Sequence, residues 1–249
     1  MTFTAEPVHI RNCAAPFFLT FYIFANTMNS VKDMKHNDYI LFDLDGTLIE
    51  SAESVRVSLA HAMEALGLPC PDLSDYTKYV GPPLEDTFRG MCAVPEDQIE
   101  RGMIIYRDYY DEVGQKTNKL FDGVIEMLAA LRERGFKIAV CTSKNEPVAE
   151  MVCDKMGLTP YLDAICGSTL DGSLRAKADI IPYAIETLGC TDKNNVLMIG
   201  DTHFDAQGAQ LAGVDFLGVT YGYGTVESMK ACGAIDFADS PEEILHLFM

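Results

Sequence analysis

The sequence predicts an α/β fold, a Rossmann-like parallel sheet with an α-helical insert between its first and second strands. Three observations carry this. Short apolar, strand-like runs recur at Tyr39–Phe42, Lys137–Cys141, Ala164–Cys166, Asn195–Ile199 and Val214–Val219. Helix-period stretches separate the later runs: Val124, Leu128 and Leu131 are closed by Gly135, Val148, Val152 and Met156 by Gly157, and Ile181, Ile185 and Leu188 by Gly189. Glycine just past the last periodic residue is a common helix stop, and strands alternating with such helices build right-handed βαβ units. The third observation is the interval over residues 50–118, which holds no strand pattern. Val55, Leu59, Ala62 and Leu66 sit there at helical spacing, followed by Gly81-Pro82-Pro83 and helical patterns near Leu84–Gly90 and Glu96–Val113. Such an interval is too long for a loop in a compact domain. We therefore expect an N-terminal extension over residues 1–37, a core domain over 38–52 and 119–249, and a helical domain over 53–118.

A chain of 249 residues with 48% hydrophobic content can bury one core and a smaller satellite. Its formal charge of −18 works against a nucleic-acid partner, because the basic residues are scattered and polyanions are repelled. A small anion is still compatible, since a divalent cation and one or two placed basic side chains can invert the local field. The eight cysteines form no Cys-x-x-Cys pair and no regular framework. Free thiols in a reducing, cytoplasmic compartment are expected, not disulfides or zinc. Residues 13–25 are strongly apolar but too short to cross a bilayer as a helix. They also lack the basic start of a signal peptide, so the extension is read as dispensable and no membrane partner is expected.

The chemistry concentrates at the ends of the strand-like runs. Phe42-Asp43-Leu44-Asp45-Gly46-Thr47 follows the first run, so two carboxylates project from the lip of a strand where open α/β sheets bind ligands. One can act as a nucleophile while the other moves a proton, and Gly46 lets the backbone bend away. Thr142 and Ser143 follow the second run and offer a hydroxyl and backbone N–H groups at an expected strand-to-helix turn, suited to a phosphoryl oxygen. Lys177 opens the helix over 178–188, where a basic residue opposes the macrodipole and asks for an anionic partner; Arg175 competes for that role. Gly200-Asp201-Thr202-His203-Phe204-Asp205 supplies two more carboxylates. Asp201 is suited to a hard cation, Asp205 to the same site or to a helix cap, and His203 is given no role. Oxygen-only ligands beside a phosphate select magnesium.

These segments, in this order, resemble the haloacid dehalogenase superfamily, in its Asp-x-Asp-Gly-Thr phosphatase branch, over about residues 39–249. Gly81-Pro82-Pro83-Leu84, Asp205 through Gly208-Ala209, and Tyr221-Gly222-Tyr223-Gly224 resemble the phosphoglycolate phosphatase-like group, which also contains 5′-nucleotidases and pyrophosphatases. Glu50 departs from the group's usual Asp at the hinge. The resemblance implies a helical cap over the site and a magnesium-dependent phosphomonoesterase acting on a small phosphorylated metabolite. It implies that Asp43 is the nucleophile that forms an aspartyl-phosphate and Asp45 the general acid/base. Thr142, Ser143 and Lys177 hold the phosphate. Magnesium is held by Asp43, the Asp45 backbone carbonyl and Asp201, with Asp205 in support.

A phosphotransferase, mutase or pyrophosphatase would use the same segments. A dehalogenase is disfavoured because that branch lacks the second aspartate. A phosphonatase would need a cap lysine placed for a Schiff base, and Lys78, Lys116 and Lys119 all lie off the first cap helix. A phospho-receiver signalling domain shares the acidic residues, the Thr and the Lys, but is about half this length and carries no helical insert. Deleting residues 1–33 should leave turnover nearly unchanged, because every segment above lies downstream. A truncated chain that loses activity or fails to fold would show that the stretch 13–25 packs on the domain.

Overall fold

The computed structural model describes residues 37–249, so the apolar stretch 13–25 and nearly all of the predicted extension lie outside the described residues. The first strand, β1 (Tyr39–Phe42), leads into a two-residue strand, β2 (Ile49–Glu50). Three helical segments follow: α1 (Ala52–Leu66), α2 (Leu84–Asp86), whose last turn widens into a π-turn over Thr87–Met91, and α3 (Glu96–Glu112). The chain returns through β3 (Lys119–Leu120), which pairs antiparallel with β2. It then runs α4 (Val124–Glu133), β4 (Lys137–Asn145), α5 (Glu146–Lys155), β5 (Ala164–Ser168), α6 (Lys177–Thr187), β6 (Val196–Gly200), α7 (His203–Ala212), β7 (Asp215–Val219), α8 (Val226–Ala231), β8 (Asp236–Ala238) and α9 (Pro241–Leu247).

The six long-range strands form one sheet in the order β5-β4-β1-β6-β7-β8, and every pairing in it is parallel. β1 is flanked by β4 on one side and β6 on the other, so the chain reverses direction across the sheet at β1. That switch point opens a crevice at the carboxyl ends of the strands. Both faces of the sheet are covered, as an all-parallel sheet requires. Ile40, Phe42, Ile138, Val140, Leu197 and Ile199 pack on the face holding α4. Leu41, Ala139, Cys141, Val196 and Met198 pack on the other face, against Ile180, Ile181 and Ala184 of α6 and Ala209 of α7.

Two differences from the expected elements bear on function. β4 does not stop at Cys141; it continues through Thr142 and Ser143 to Asn145, with a register shift against β5 between Cys141 and Asn145. Thr142 and Ser143 therefore lie within a bulged strand end, not in a strand-to-helix turn. The long interval after β1 is bounded by the short β2/β3 ribbon, which ties the entry and exit of the helical layer to each other. The seven described cysteines are unpaired, and no helix among the described residues is long and apolar enough to cross a membrane.

Candidate active site

Side chains alternate along a strand, so β1 decides where its acidic continuation points. Leu41 faces α6 and α7, and Asp43, two residues on, does the same. The Asp43 amide donates to the Ile199 carbonyl at 2.8 Å, which extends the β1–β6 ladder and fixes the aspartate backbone. Asp43 Oδ1 accepts from Lys177 Nζ at 2.8 Å and from the Leu44 amide at 2.7 Å. The same Lys177 ammonium donates to Asp205 Oδ1 and, at 2.9 Å, to the Cys141 carbonyl. Asp205 Oδ2 accepts from the Thr202 amide at 3.0 Å and the Thr202 hydroxyl at 2.7 Å. Asp205 thus caps α7 and anchors Lys177 at once.

Asp201, fully buried at the end of β6, accepts from the Thr47 hydroxyl at 3.3 Å and the Tyr223 amide at 2.7 Å. Gly46 turns above it at φ +85°, and a Cβ there would lie 2.7 Å from Asp201 Cγ and 2.8 Å from Tyr223 Cδ2. Only glycine meets both demands. The Tyr223 hydroxyl in turn accepts from the Ser51 and Ala52 amides at 2.7 and 3.0 Å, which ties the loop under Asp201 to the start of α1.

Carboxylate oxygens of Asp43, Asp201 and Asp205 lie within 4.8 Å of one another. Burial pushes Asp43 up to about 7, with Lys177 opposing and Asp205 and Asp45 reinforcing the rise. Asp201 is raised well above the usual carboxylate range, first by burial and then by Asp205 and Asp43. Burial alone would lower Lys177, but Asp205 and Asp43 outweigh it and hold the ammonium above an ordinary lysine. Three buried carboxylates therefore face one cation, and the cluster is short of positive charge. An all-oxygen donor set with that deficit fits a hard divalent cation.

Asp45 looks elsewhere. Its Oδ2 pairs with Lys144 Nζ at 2.9 Å, and Lys144 also donates to the Tyr110 hydroxyl at 3.1 Å. Thr142 is buried beside this pair, its hydroxyl accepting from the Lys144 amide at 3.2 Å, while Ser143 is half-buried. A cavity of about 430 Å³ lies between the sheet lip and the helical layer. Asp43, Asp45, Thr142 and Ser143 line it from below; Tyr79, Gly81-Pro82-Pro83, Met103 and Arg107 line it from above. Lys177, Asp201 and Asp205 are buried against Asp43.

Arg175, ranked second to Lys177 as a phosphate holder, is not in the cluster. It forms ion pairs with Glu85 and Asp86 of α2 and so bridges the core to the helical layer. The His203 ring lies tilted against that of Phe204. Sequence reasoning gave Lys144 and Tyr110 no role. The register shift of β4 around Lys144 has no signature in local composition.

A family model described as haloacid dehalogenase-like hydrolase matches residues 40–219, well over half the chain. The chain belongs to the haloacid dehalogenase-like hydrolases. Among curated relatives, it is 36% identical to tyrosine-protein kinase PtkA of Mycobacterium tuberculosis over 188 residues, or 76% of this chain and 64% of the relative. The chain thus spans a little under two thirds of that relative's length. It is 35% identical to a 5′-nucleotidase of Pseudomonas aeruginosa over 192 residues (77% and 86%), and 34% identical to a phosphoglycolate phosphatase of Agrobacterium fabrum over 196 residues (76% and 83%). A solved structure of a "predicted phosphatase" from Clostridium acetobutylicum superimposes with a TM-score of 0.79 at 38% identity, covering 84% of this chain and 96% of that one. This haloacid dehalogenase-like core carries its cluster on the elements where the sequence motifs lie.

Gly46→Ala should destabilise the protein by roughly 1–3 kcal/mol, the usual cost of a strained backbone position, and should weaken divalent-cation binding by displacing Asp201. Chemical denaturation and a calorimetric magnesium titration check this. Wild-type stability together with wild-type cation affinity would contradict the packing of Gly46 on Asp201.

Proposed function

We propose that the chain is a magnesium-dependent phosphomonoesterase that hydrolyses a small phosphorylated metabolite through an aspartyl-phosphate on Asp43. The observation that carries this reading is the split between two neighbouring carboxylates. Asp43 is backed by Lys177, Asp201 and Asp205, while Asp45 faces the same cavity under the control of a different lysine. Environments that separate two carboxylates in this way commonly separate their roles in acid–base chemistry.

In the first step an Asp43 carboxylate oxygen bonds to phosphorus as the bond from phosphorus to the leaving oxygen breaks. Asp45 passes its proton to that leaving oxygen. In the second step Asp45 takes a proton from water as the water oxygen attacks phosphorus, which frees inorganic phosphate and restores the Asp43 carboxylate. A positioned acid/base of this kind contributes roughly 10²–10⁴-fold. Thr142, Ser143 and Lys177 steady the phosphoryl oxygens. Asp43, the Asp45 backbone carbonyl and Asp201, with Asp205 in support, would hold magnesium, which would supply charge neutralisation there. Residues 53–118 act as the cap that excludes bulk water, and the cavity they close leaves room for a small leaving group. First candidates are 2-phosphoglycolate and nucleoside 5′-monophosphates, and inorganic pyrophosphate is small enough to enter. A cytoplasmic location belongs to this reading, supported by the unpaired thiols.

A second reading, phosphoryl transfer to a hydroxyl in place of water, draws support from the likeness to a protein named as a tyrosine kinase. Product analysis separates the two: hydrolysis releases inorganic phosphate in step with substrate loss, and transfer leaves the phosphoryl group on an acceptor.

Asp43→Asn should abolish turnover with the fold intact, because it keeps the side chain's shape and removes the nucleophile. Activity within about tenfold of wild type, only ~1.4 kcal/mol in barrier, would end the covalent mechanism. Chelation with EDTA should silence the enzyme and magnesium restore it, with calcium a poor substitute because its looser shell spoils in-line geometry. Full turnover after chelation would remove the cation from the account.

A further inference from the structure

Lys144 occupies an unusual position for a charged residue on a sheet. Its Nζ is shared between Asp45 Oδ2 at 2.9 Å and the Tyr110 hydroxyl at 3.1 Å, and it lies 4.4 Å from the centroid of the Tyr110 ring. Tyr110 is a buried residue of α3, in the helical layer. Its hydroxyl oxygen also accepts from Asn118 Nδ2 at 3.0 Å, in the return segment immediately before β3. Asp45 Oδ1, in contrast, is buried and has no hydrogen-bond partner among the described residues. A buried carboxylate oxygen left unsatisfied costs stability and asks for a partner. The register shift in β4 between Cys141 and Asn145 is the local device that re-aims this part of the strand.

We infer that Lys144 and Tyr110 are positioning residues for Asp45: Lys144 grips Oδ2, Tyr110 grips Lys144 from the helical layer, and the carboxylate is held in one orientation for its proton exchange with the leaving group. The inference rests on the phosphomonoesterase reading above. Each contact does a separate job. The ammonium restrains rotation of the carboxylate and so fixes how Asp45 meets the cavity it lines. The phenol places that ammonium, and because Tyr110 and Asn118 belong to the helical layer and its return, the chain of contacts is complete only while the layer is docked on the sheet. The acid/base group is then correctly aimed only over a covered site. Lys144 acts through Asp45 and needs no contact with the phosphoryl group.

Proton donation matters most when the leaving group is a poor one, and this separates positioning from plain structural support. The test uses two simple esters, p-nitrophenyl phosphate, whose leaving phenolate is stable, and phenyl phosphate, whose leaving oxygen is far more basic. Values of kcat/KM report the step in which the leaving group departs. Lys144→Met should lower kcat/KM for phenyl phosphate at least about tenfold more than for p-nitrophenyl phosphate, part of the general-acid contribution. Tyr110→Phe, which deletes a single hydroxyl, should show the same selectivity at smaller size. The double variant should be no worse than Lys144→Met alone, the non-additivity expected of residues acting in series.

Equal losses on both esters would overturn the inference and mark Lys144 as a phosphate-binding or purely structural residue, as would no loss at all. If Lys144→Met does not fold, Tyr110→Phe decides the matter by itself, its fold checked by circular dichroism. A folded wild-type enzyme inert towards both esters and towards a panel of phosphorylated metabolites would instead overturn the phosphomonoesterase reading, and this inference with it.

Discussion

One buried ammonium holds the site together. Lys177 joins Asp43 of the first strand's end to Asp205 of α7, two groups separated by most of the chain, and it also reaches the Cys141 carbonyl of β4. Buried charges are tolerated only when paired and hydrogen-bonded, so none of these three groups can leave without stranding the others. The surrounding sequence makes room for the arrangement. A Cβ at Gly208 would lie 2.5 Å from Lys177 Cβ, and one at Gly200 would lie 2.6 Å from Asp205 Cβ. Small residues on α7 and at the end of β6 therefore let the lysine and its carboxylate approach closely.

A second lysine gives the neighbouring carboxylate a separate identity. Asp43 and Asp45 are two residues apart, yet β1 ends just before them and the chain turns at Gly46. Asp43 stays with the sheet and Lys177, while Asp45 meets Lys144 under the helical layer. Burial would lower Lys144, but Asp45 outweighs it and holds the ammonium above the ordinary lysine range. Two carboxylates with separate counter-ions, one behind the sheet and one under the cavity roof, can carry out different steps of one reaction.

The parts of this architecture that were legible in the sequence are those whose signal is local. β1, β4, β5, β6 and β7 are short apolar runs, and the helices after β4 and β5 end at Gly157 and Gly189, both with positive φ. Asp43, Asp45, Lys177, Asp201 and Asp205 were legible because each lies at the edge of an element with a clear period, and the fold then brings four of them into one cluster. β8 is a three-residue edge strand and the β2/β3 ribbon has two residues a side, too few for any period to show. Arg175, the second candidate after Lys177, pairs with Glu85 and Asp86 from a helix some ninety residues earlier, and no local pattern reports such a pairing. The link from Lys144 to Asp45 joins residues about a hundred positions apart and was invisible for the same reason.

The central claim is that Asp43 accepts the phosphoryl group, with Lys177 and a divalent cation offsetting the charge of its surroundings. The most direct measurement is mass spectrometry of peptides from enzyme acid-quenched during turnover of p-nitrophenyl phosphate with magnesium present. The account predicts a phosphoryl group on the peptide containing Asp43, absent from the Asp43→Asn protein and lost on incubation at neutral pH. Steady turnover with no modified peptide at any quench time, or a phosphoryl group on a residue other than Asp43, would contradict it.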